Sequence, residues 1–77
     1  MADAPWREKA KRLIAAFARQ AYEKENRLPN GKLRKKHRPY ALPEVAEELV
    51  RCLDTNDEER AKAIFVHSYE VEKLKVE

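Results

Sequence analysis

The chain has 77 residues, of which 40% are charged, and a net charge of +3. This length allows one small domain, residues 1–77, and the single cysteine, Cys52, excludes an intrachain disulfide framework. No apolar run approaches the roughly 18 residues that span a bilayer, and charged residues interrupt the N-terminus where a signal peptide would be apolar, so we expect a cytoplasmic protein, or a nuclear one in a eukaryote.

The first predicted helix covers residues from about 4 to 25. Its apolar residues recur at helical spacing and share one face: Trp6, Ala10, Leu13, Ile14, Phe17 and Ala21. Asp3 stands two residues before Pro5, an order typical of a helix start, because the carboxylate accepts free N–H groups and proline is tolerated in the first turn. Arg12 and Arg19 fall on the opposite face, away from the predicted core.

A long connection over residues 26 to 41 follows this helix. Its first part, Leu28-Pro29-Asn30-Gly31, contains a proline, a turn-prone asparagine and the only glycine of the chain, which predicts a chain reversal. Loops of this length in small domains are usually functional or disordered. Two features favour partial order: Leu33 and Tyr40 are apolar enough to attach the loop to the core, and Asn30 is suited to start one short helical turn.

The second predicted helix covers residues from about 43 to 53 and begins at Pro43. Its apolar stripe consists of Leu42, Val45, Ala46, Leu49, Val50 and Leu53. Thr55 and Glu58 have the spacing of a capping box, which predicts a third helix over residues 56 to 74. Because residues 64–71 are rich in β-branched and aromatic side chains, a strand is the alternative there. The helix-forming residues before this segment favour the helix.

The third helix has apolar residues on two sides. One face contains Ala61, Ile64, Phe65, Ser68 and Val71, while Val66 and Tyr69 project elsewhere. A second apolar side in so small a chain indicates contact with another subunit. We therefore predict an all-α domain of three helices, with a long basic loop between helix 1 and helix 2, that forms a homodimer through helix 3.

The strongest functional signal is a run of seven residues without an acidic side chain, Lys32-Leu33-Arg34-Lys35-Lys36-His37-Arg38. It lies in a half of the chain, residues 1–40, whose net charge is +8, whereas residues 41–77 sum to −5. Clustered cations bind nucleic acids by displacing counterions from backbone phosphates. We predict phosphate contacts, on DNA or RNA, from these residues: Lys32, Arg34, Lys35, Lys36, His37 and Arg38, assisted by Arg12 and Arg19.

The other interpretations of this run are a solvated loop that keeps the protein soluble and a nuclear localisation signal. Docking as a helix-turn-helix is excluded, because Asp57, Glu58 and Glu59 would enter the major groove and be repelled by phosphates. Readout of the backbone with little sequence specificity is therefore expected. Tyr22 and Tyr40 are placed to stack on unpaired bases, although a tyrosine beside a basic run more often packs its ring and leaves its hydroxyl in water.

The acidic half supports a different class of function, an adaptor or inhibitor that binds a basic partner protein. In this alternative the second and third helices supply charge and apolar anchors. The residues concerned are Glu44, Glu47, Glu48, Val66 and Tyr69. A simpler interpretation of the acids is that they cap helices and pair with the chain's own cations.

The sequence offers little support for catalysis. His37 lies among cations that disfavour its protonation, and no pattern places it or His67 beside Cys52 as an activating base. Cys52 borders the apolar stripe of the second helix, so we expect a buried structural thiol. Because glycine-rich phosphate loops and metal-ligand spacings are absent from the sequence, we predict no cofactor, no metal and no enzymatic activity.

Overall fold

The longest element is helix α1, Pro5–Asn26, in a computed structural model that describes residues 4–74 of the chain. The predicted apolar stripe faces the core: Trp6, Ala10, Leu13 and Phe17 are buried. The helix is preceded by Ala4, which has no polar side chain to cap it, and Pro5 occupies the first turn. The predicted cap Asp3 lies outside the described residues.

Three shorter helices follow: α2 (Glu44–Thr55), α3 (Glu58–His67) and α4 (Tyr69–Leu74). The prediction of an all-α domain is confirmed, and the described residues contain no strand, only an isolated β-bridge between Arg27 and Leu33. None of these helices is both long and apolar enough to cross a membrane.

The predicted third helix is present as two helices that meet at Ser68. Ser68 has an extended backbone (φ −83°, ψ 119°), and its hydroxyl oxygen accepts a hydrogen bond from the Val71 N–H at 3.3 Å. The same hydroxyl donates to the Glu70 carboxylate at 3.0 Å. Serine inside a helical pattern offers the backbone an alternative partner, and here it starts a new helix. The prediction of one continuous helix over residues 56–74 was therefore wrong, although its predicted end at 74 coincides with the end of α4.

The predicted capping box at Thr55 and Glu58 was also wrong. Asp57 is the N-cap of α3, where its carboxylate accepts from the Arg60 N–H at 3.1 Å. Thr55 is still helical and donates its hydroxyl to the Arg51 carbonyl at 2.8 Å. Asn56 ends α2 in the left-handed conformation (φ 56°), which asparagine tolerates. Because only two residues join α2 and α3, the cap position falls on Asp57.

The core lies where α1 crosses the other three helices. Leu13 of α1 meets Leu49 of α2, Ala61 of α3 and Val71 of α4 in one buried cluster. Polar contacts add to it at the start of α1, where the Arg7 guanidinium donates to the Leu53 carbonyl at 3.0 Å. All of this packing uses a single face of α1.

The loop between α1 and α2 covers residues 27–43 and differs from its prediction in two respects. Asn30 lies in a hydrogen-bonded turn and starts no helical turn. Leu33 and Tyr40 are 43% and 44% exposed, and neither reaches the core. Leu42, at the end of the loop, packs against the core instead. The basic run itself is held by contacts with the C-terminal end and the opposite side of α1.

Candidate nucleic-acid interface

The loop begins with a closed turn directly after α1. The Gly31 N–H donates to the Leu28 carbonyl at 2.9 Å, and the Leu28 N–H donates to the Lys32 carbonyl at 2.7 Å. Pro29 occupies the second position of the turn, where its fixed φ is favourable, and Gly31 adopts a positive φ of 85°. The Arg27 guanidinium donates to the Gly31 carbonyl at 2.7 Å. The basic run therefore starts from a fixed point.

Arg34 closes the C-terminal end of α1. Its backbone N–H donates to the Asn26 carbonyl at 2.7 Å, and its Nε donates to the Glu25 carbonyl at 3.2 Å. Carbonyl groups at a helix C-terminus lack intrahelical partners and carry partial negative charge, so a guanidinium there is favourable. Arg34 thus has a structural role besides its charge, which the sequence pattern alone does not distinguish.

Asn26 fastens the middle of the loop to α1. This last residue of the helix is fully buried, and its side-chain oxygen accepts from the Arg38 N–H at 2.5 Å. Its amide nitrogen donates to the Arg38 carbonyl at 3.2 Å and to the Tyr22 carbonyl at 3.0 Å. The amide pairs with both main-chain groups of Arg38, as a neighbouring peptide group would. A buried amide with this set of partners fixes the position of Arg38.

Three rings form a small cluster beside this fastening, which we call the aromatic cluster: Tyr22, His37 and Tyr40. The Tyr22 hydroxyl lies 2.9 Å from a ring nitrogen of His37. The Tyr22 ring makes perpendicular contacts with the His37 ring, at 5.1 Å between centroids, and with the Tyr40 ring, at 5.7 Å. Such edge contacts between aromatic rings are favourable beyond their buried area. The cluster holds the last part of the basic run against α1.

The face of α1 that meets the loop is the one opposite the core. Arg12, Arg19 and Asn26 are seven residues apart, so they lie along one line of the helix, and this line is opposite Leu13 and Phe17. At 1.5 Å per residue, Arg19 lies about 10 Å and Arg12 about 21 Å from Asn26 along the axis. Arg19 therefore extends the loop surface, whereas Arg12 belongs to the far end of the helix.

Most of the predicted phosphate contacts are exposed on this surface. The loop has six Lys or Arg residues and no Asp or Glu. Among residues 4–74, no carboxylate forms an ion pair with four of these cations, and all four are exposed: Lys32, Lys35, Lys36 and Arg38. Nearby Glu23 pairs instead with Arg27 at 3.0 Å and Arg19 at 4.0 Å. The loop therefore presents cations whose charge the described residues do not neutralise.

The predicted partner-binding residues lie on a separate surface. Glu44 and Glu47 are exposed on α2, but the Glu48 carboxylate bridges the guanidinium groups of Arg51 and Arg60. The hydrogen bonds from these two arginines lower the pKa of Glu48. Glu48 thus links α2 to α3 within the chain.

The two apolar residues predicted to bind a partner are both exposed. Val66 is 75% exposed, and Tyr69 is 67% exposed with the Lys73 ammonium 5.0 Å from its ring centroid. Neither contributes to the core. The pairing of two chains through them stays a prediction.

Cys52 is buried against the core, and this burial raises the pKa of its thiol. The described residues contain no group of three or more His, Cys, Asp or Glu side chains able to hold a metal ion. His37 and His67 are both exposed, on different elements of the fold. The structure brings neither histidine to the thiol.

No pattern in the sequence predicts the role of Asn26, which positions the basic loop. The stop of α1 at this position is visible in the sequence, but the partner of Asn26 is Arg38, twelve residues later. No periodic pattern connects two such positions. The available signal is weak: a polar amide that ends a helix just before a run of cations.

Comparison with known proteins does not assign the chain to a family. No protein-family model matches the chain, and the searches of curated proteins and of solved structures give no match.

Proposed function

We propose that this chain is a small intracellular, non-enzymatic regulatory protein that associates with nucleic acid. It contacts backbone phosphates through the basic loop and the outer face of α1. One observation supports this most directly: Lys32, Lys35, Lys36 and Arg38 are exposed without acidic partners on a loop that is fastened in place. A loop whose charges served only solubility would not require this fastening.

The order of the loop favours binding for an energetic reason. Immobilising a flexible segment on association costs free energy, and a segment that is already ordered avoids much of this cost. Each phosphate neutralised by a cation also releases counterions, which contributes about 0.7 to 0.9 to the slope of log K against log salt. Four loop cations therefore predict a slope of about −3, before any contribution from Arg19.

The charge distribution also sets the orientation of the protein on the nucleic acid. Residues 44–74, which include α2, α3 and α4, contain nine Asp or Glu and four Lys or Arg. A polyanion is repelled by this region and attracted by the loop. The acidic helices therefore face away from the nucleic acid in this arrangement, and backbone contacts of this kind give little sequence specificity.

The test is a binding titration with labelled duplex and single-stranded oligonucleotides at about 50 mM and about 200 mM salt. The triple variant Lys35→Ala, Lys36→Ala and Arg38→Ala removes three loop cations. We expect it to weaken binding at least tenfold at low salt and to reduce the salt slope by about 2 to 3. Circular dichroism verifies that the variant is folded.

A matched control removes three cations elsewhere: Lys9→Ala, Lys62→Ala and Lys73→Ala. The net charge of this variant equals that of the loop variant, so a purely non-specific attraction would weaken both alike. We expect the control to bind nearly as the native chain does. Equal loss in both variants, or no binding by the native chain at low salt, contradicts the proposal.

The alternative is an adaptor or inhibitor that uses the acidic helices to bind a basic protein. Because Glu48 is occupied by Arg51 and Arg60, the exposed Glu44 and Glu47 are the residues to test. In the alternative, Glu44→Lys with Glu47→Lys abolishes capture of the partner, while the triple loop variant leaves it intact. Under the proposed function, the triple loop variant loses nucleic-acid binding, whereas Glu44→Lys with Glu47→Lys retains it.

A homodimer through α3 and α4 is part of the same proposal. The exposed side chains of Val66 and Tyr69 are the predicted contact. Sedimentation of the native chain and of Val66→Ser at equal concentration tests it, since removal of an apolar anchor shifts a dimer toward the monomer. A monomeric mass for the native chain at all concentrations contradicts the dimer without affecting the phosphate contacts.

A further inference from the structure

The aromatic cluster lies at the edge of the basic surface and outside the hydrophobic core. Two of the three tyrosines of the chain belong to it, and Tyr40 is 44% exposed. The neighbouring cations Lys36 and Arg38 are both exposed. An exposed ring beside several unpaired cations is the arrangement by which proteins hold a single strand, with bases on the ring and phosphates on the cations.

The position of Tyr40 relative to these cations is fixed. Asn26 holds both main-chain groups of Arg38, and only Pro39 separates Arg38 from Tyr40. Proline restricts its own φ and also the conformation of the residue before it. The perpendicular contact with Tyr22 holds the ring from one side. The cation and the ring are therefore presented together.

The contact with Tyr22 leaves Tyr40 able to stack. A perpendicular contact, here 80° between ring planes, covers an edge or a single face of a ring. The exposure of Tyr40 shows that much of the residue is still open to solvent. A base in a duplex has both faces covered by its neighbours, so only an unpaired base can use this ring.

We infer that the nucleic acid bound by the basic loop is single-stranded, and that an unpaired base stacks on Tyr40 while adjacent phosphates contact Lys36 and Arg38. This inference rests on the proposed function and specifies its ligand. The hydrogen bond between Tyr22 and His37 helps to keep the cluster assembled when the base binds.

The test compares an unstructured oligothymidine with a duplex of equal length, using the native chain and three variants of Tyr40. The native chain binds the single strand more tightly. Tyr40→Ala lowers this affinity by about 5-fold or more, the range measured for base–aromatic stacking, and leaves duplex affinity unchanged. Because no charge is removed, the salt slope stays the same, unlike that of the loop triple variant.

Two further variants separate stacking from support of the loop. Tyr40→Phe retains the ring and is expected to bind as the native chain does. Tyr40→Leu retains an apolar side chain against Tyr22 but has no aromatic face, so it is expected to bind as weakly as Tyr40→Ala. In nuclear magnetic resonance spectra of the native chain, stacking moves the Tyr40 ring protons upfield when the oligonucleotide is added.

Three results overturn the inference. Native affinity in Tyr40→Leu shows that the side chain only packs, and a duplex bound at least as tightly as the single strand excludes an unpaired ligand. In both cases, weaker binding by the loop triple variant would still support the phosphate contacts of the proposed function. No binding of either oligonucleotide at low salt overturns the inference and the proposed function together.

Discussion

The two faces of α1 are held by different kinds of contact. The inner face packs apolar side chains such as Leu13 and Phe17 against α2, α3 and α4. The outer face holds the basic loop through hydrogen bonds between Asn26 and Arg38, through the edge of the Tyr22 ring, and through the Arg34 side chain, which donates to the Glu25 carbonyl. Apolar burial therefore builds the fold, and polar pairing positions the surface that we propose to be functional.

This difference separates stability from the geometry of the loop. Apolar burial is cooperative across the four helices, so damage on the inner face is expected to lower the stability of the whole domain. Hydrogen bonds of the outer face involve one helix end and one loop, so their loss is expected to loosen a local unit. Substitutions on the two faces therefore distinguish these two kinds of damage.

The largest effect is expected from Leu49→Ala on the inner side. Leu49 is fully buried in the core, and truncation of such a leucine costs about 2–5 kcal/mol because it removes apolar contacts and leaves a cavity. Denaturant unfolding followed by circular dichroism measures the loss. Gln20→Ala is the control, since Gln20 is exposed on α1 and a surface change of this kind alters stability by no more than about 0.5 kcal/mol. An equal loss of stability in the two variants would contradict the burial of Leu49 in the core.

Asn26→Ala is expected to have the next largest effect, and to act on the outer face. It leaves the Arg38 N–H and carbonyl without their partner, at a cost of about 1–3 kcal/mol that is reduced to the extent that water reaches them. Hydrogen exchange is expected to accelerate at Arg34 and Arg38 more than at Leu49. Under the proposed function, affinity for nucleic acid is expected to fall as well, although no charge is lost, because the loop must then be ordered on binding.

The control for this variant is Asn30→Ala in the same loop. Asn30 also accepts a backbone hydrogen bond, from the Lys32 N–H at 3.0 Å, but it is exposed, so water replaces the lost partner. We expect little change in stability or in exchange at Arg38. If both asparagines behave alike, burial of Asn26 does not control the loop.

The sequence predicts the inner face well, because burial on a helix repeats with the period of the helix. The stripe containing Leu13 and Phe17 and the stripe containing Leu49 are both found where the spacing places them. The break at Ser68 was missed, since a serine has the same effect on this pattern whether it lies within a helix or caps the next one.

The outer face is predicted only in its composition. The exposed cations Lys35 and Lys36 follow from the sequence, because charged side chains without partners stay in water. The pairing of Asn26 with Arg38 does not follow, since it joins positions twelve apart by a single amide. The capping of α1 by Arg34 is hidden for the same reason. Long-range polar pairs have no period, so they require the structure.

Gly31→Ala is expected to have a smaller effect than Asn26→Ala and tests the turn that begins the loop. Gly31 has a φ of 85°, and an added Cβ would meet no atom within 4 Å, so the cost is conformational rather than steric. Adopting this conformation costs an alanine about 1–2 kcal/mol. Thermal unfolding measures the change, and Gly31→Asn is the control, because asparagine tolerates a positive φ and is expected to be less destabilising. An alanine variant as stable as the native chain would contradict this role of the turn.

The smallest effect is expected at Glu48, where polar contacts join α2 to α3 at the surface. Hydrogen bonds from Arg51 and Arg60 lower the pKa of Glu48 from its ordinary value of 4.5, so the folded state favours the ionised carboxylate. The resulting stabilisation is present above pH 4.5 and is lost as the pH falls through the lower pKa of the folded state. Because these groups are in contact with water, the effect is weak and is reduced by salt.

The pKa of Glu70 is also lowered, by its own backbone N–H and by the Ser68 hydroxyl. Because Glu70 is the same in the native chain and in Glu48→Gln, the difference between these two chains reports Glu48 alone. We expect a slightly lower melting temperature for the variant at neutral pH, and a difference that disappears in acid. Glu47→Gln, at an exposed neighbouring position, is the control for the loss of one surface carboxylate. Asn26 and Glu48 both join two segments by hydrogen bonds, but only Asn26 is buried. A Glu48 effect as large as that of Asn26 would therefore mean that exclusion of water is not what makes the loop fastening strong.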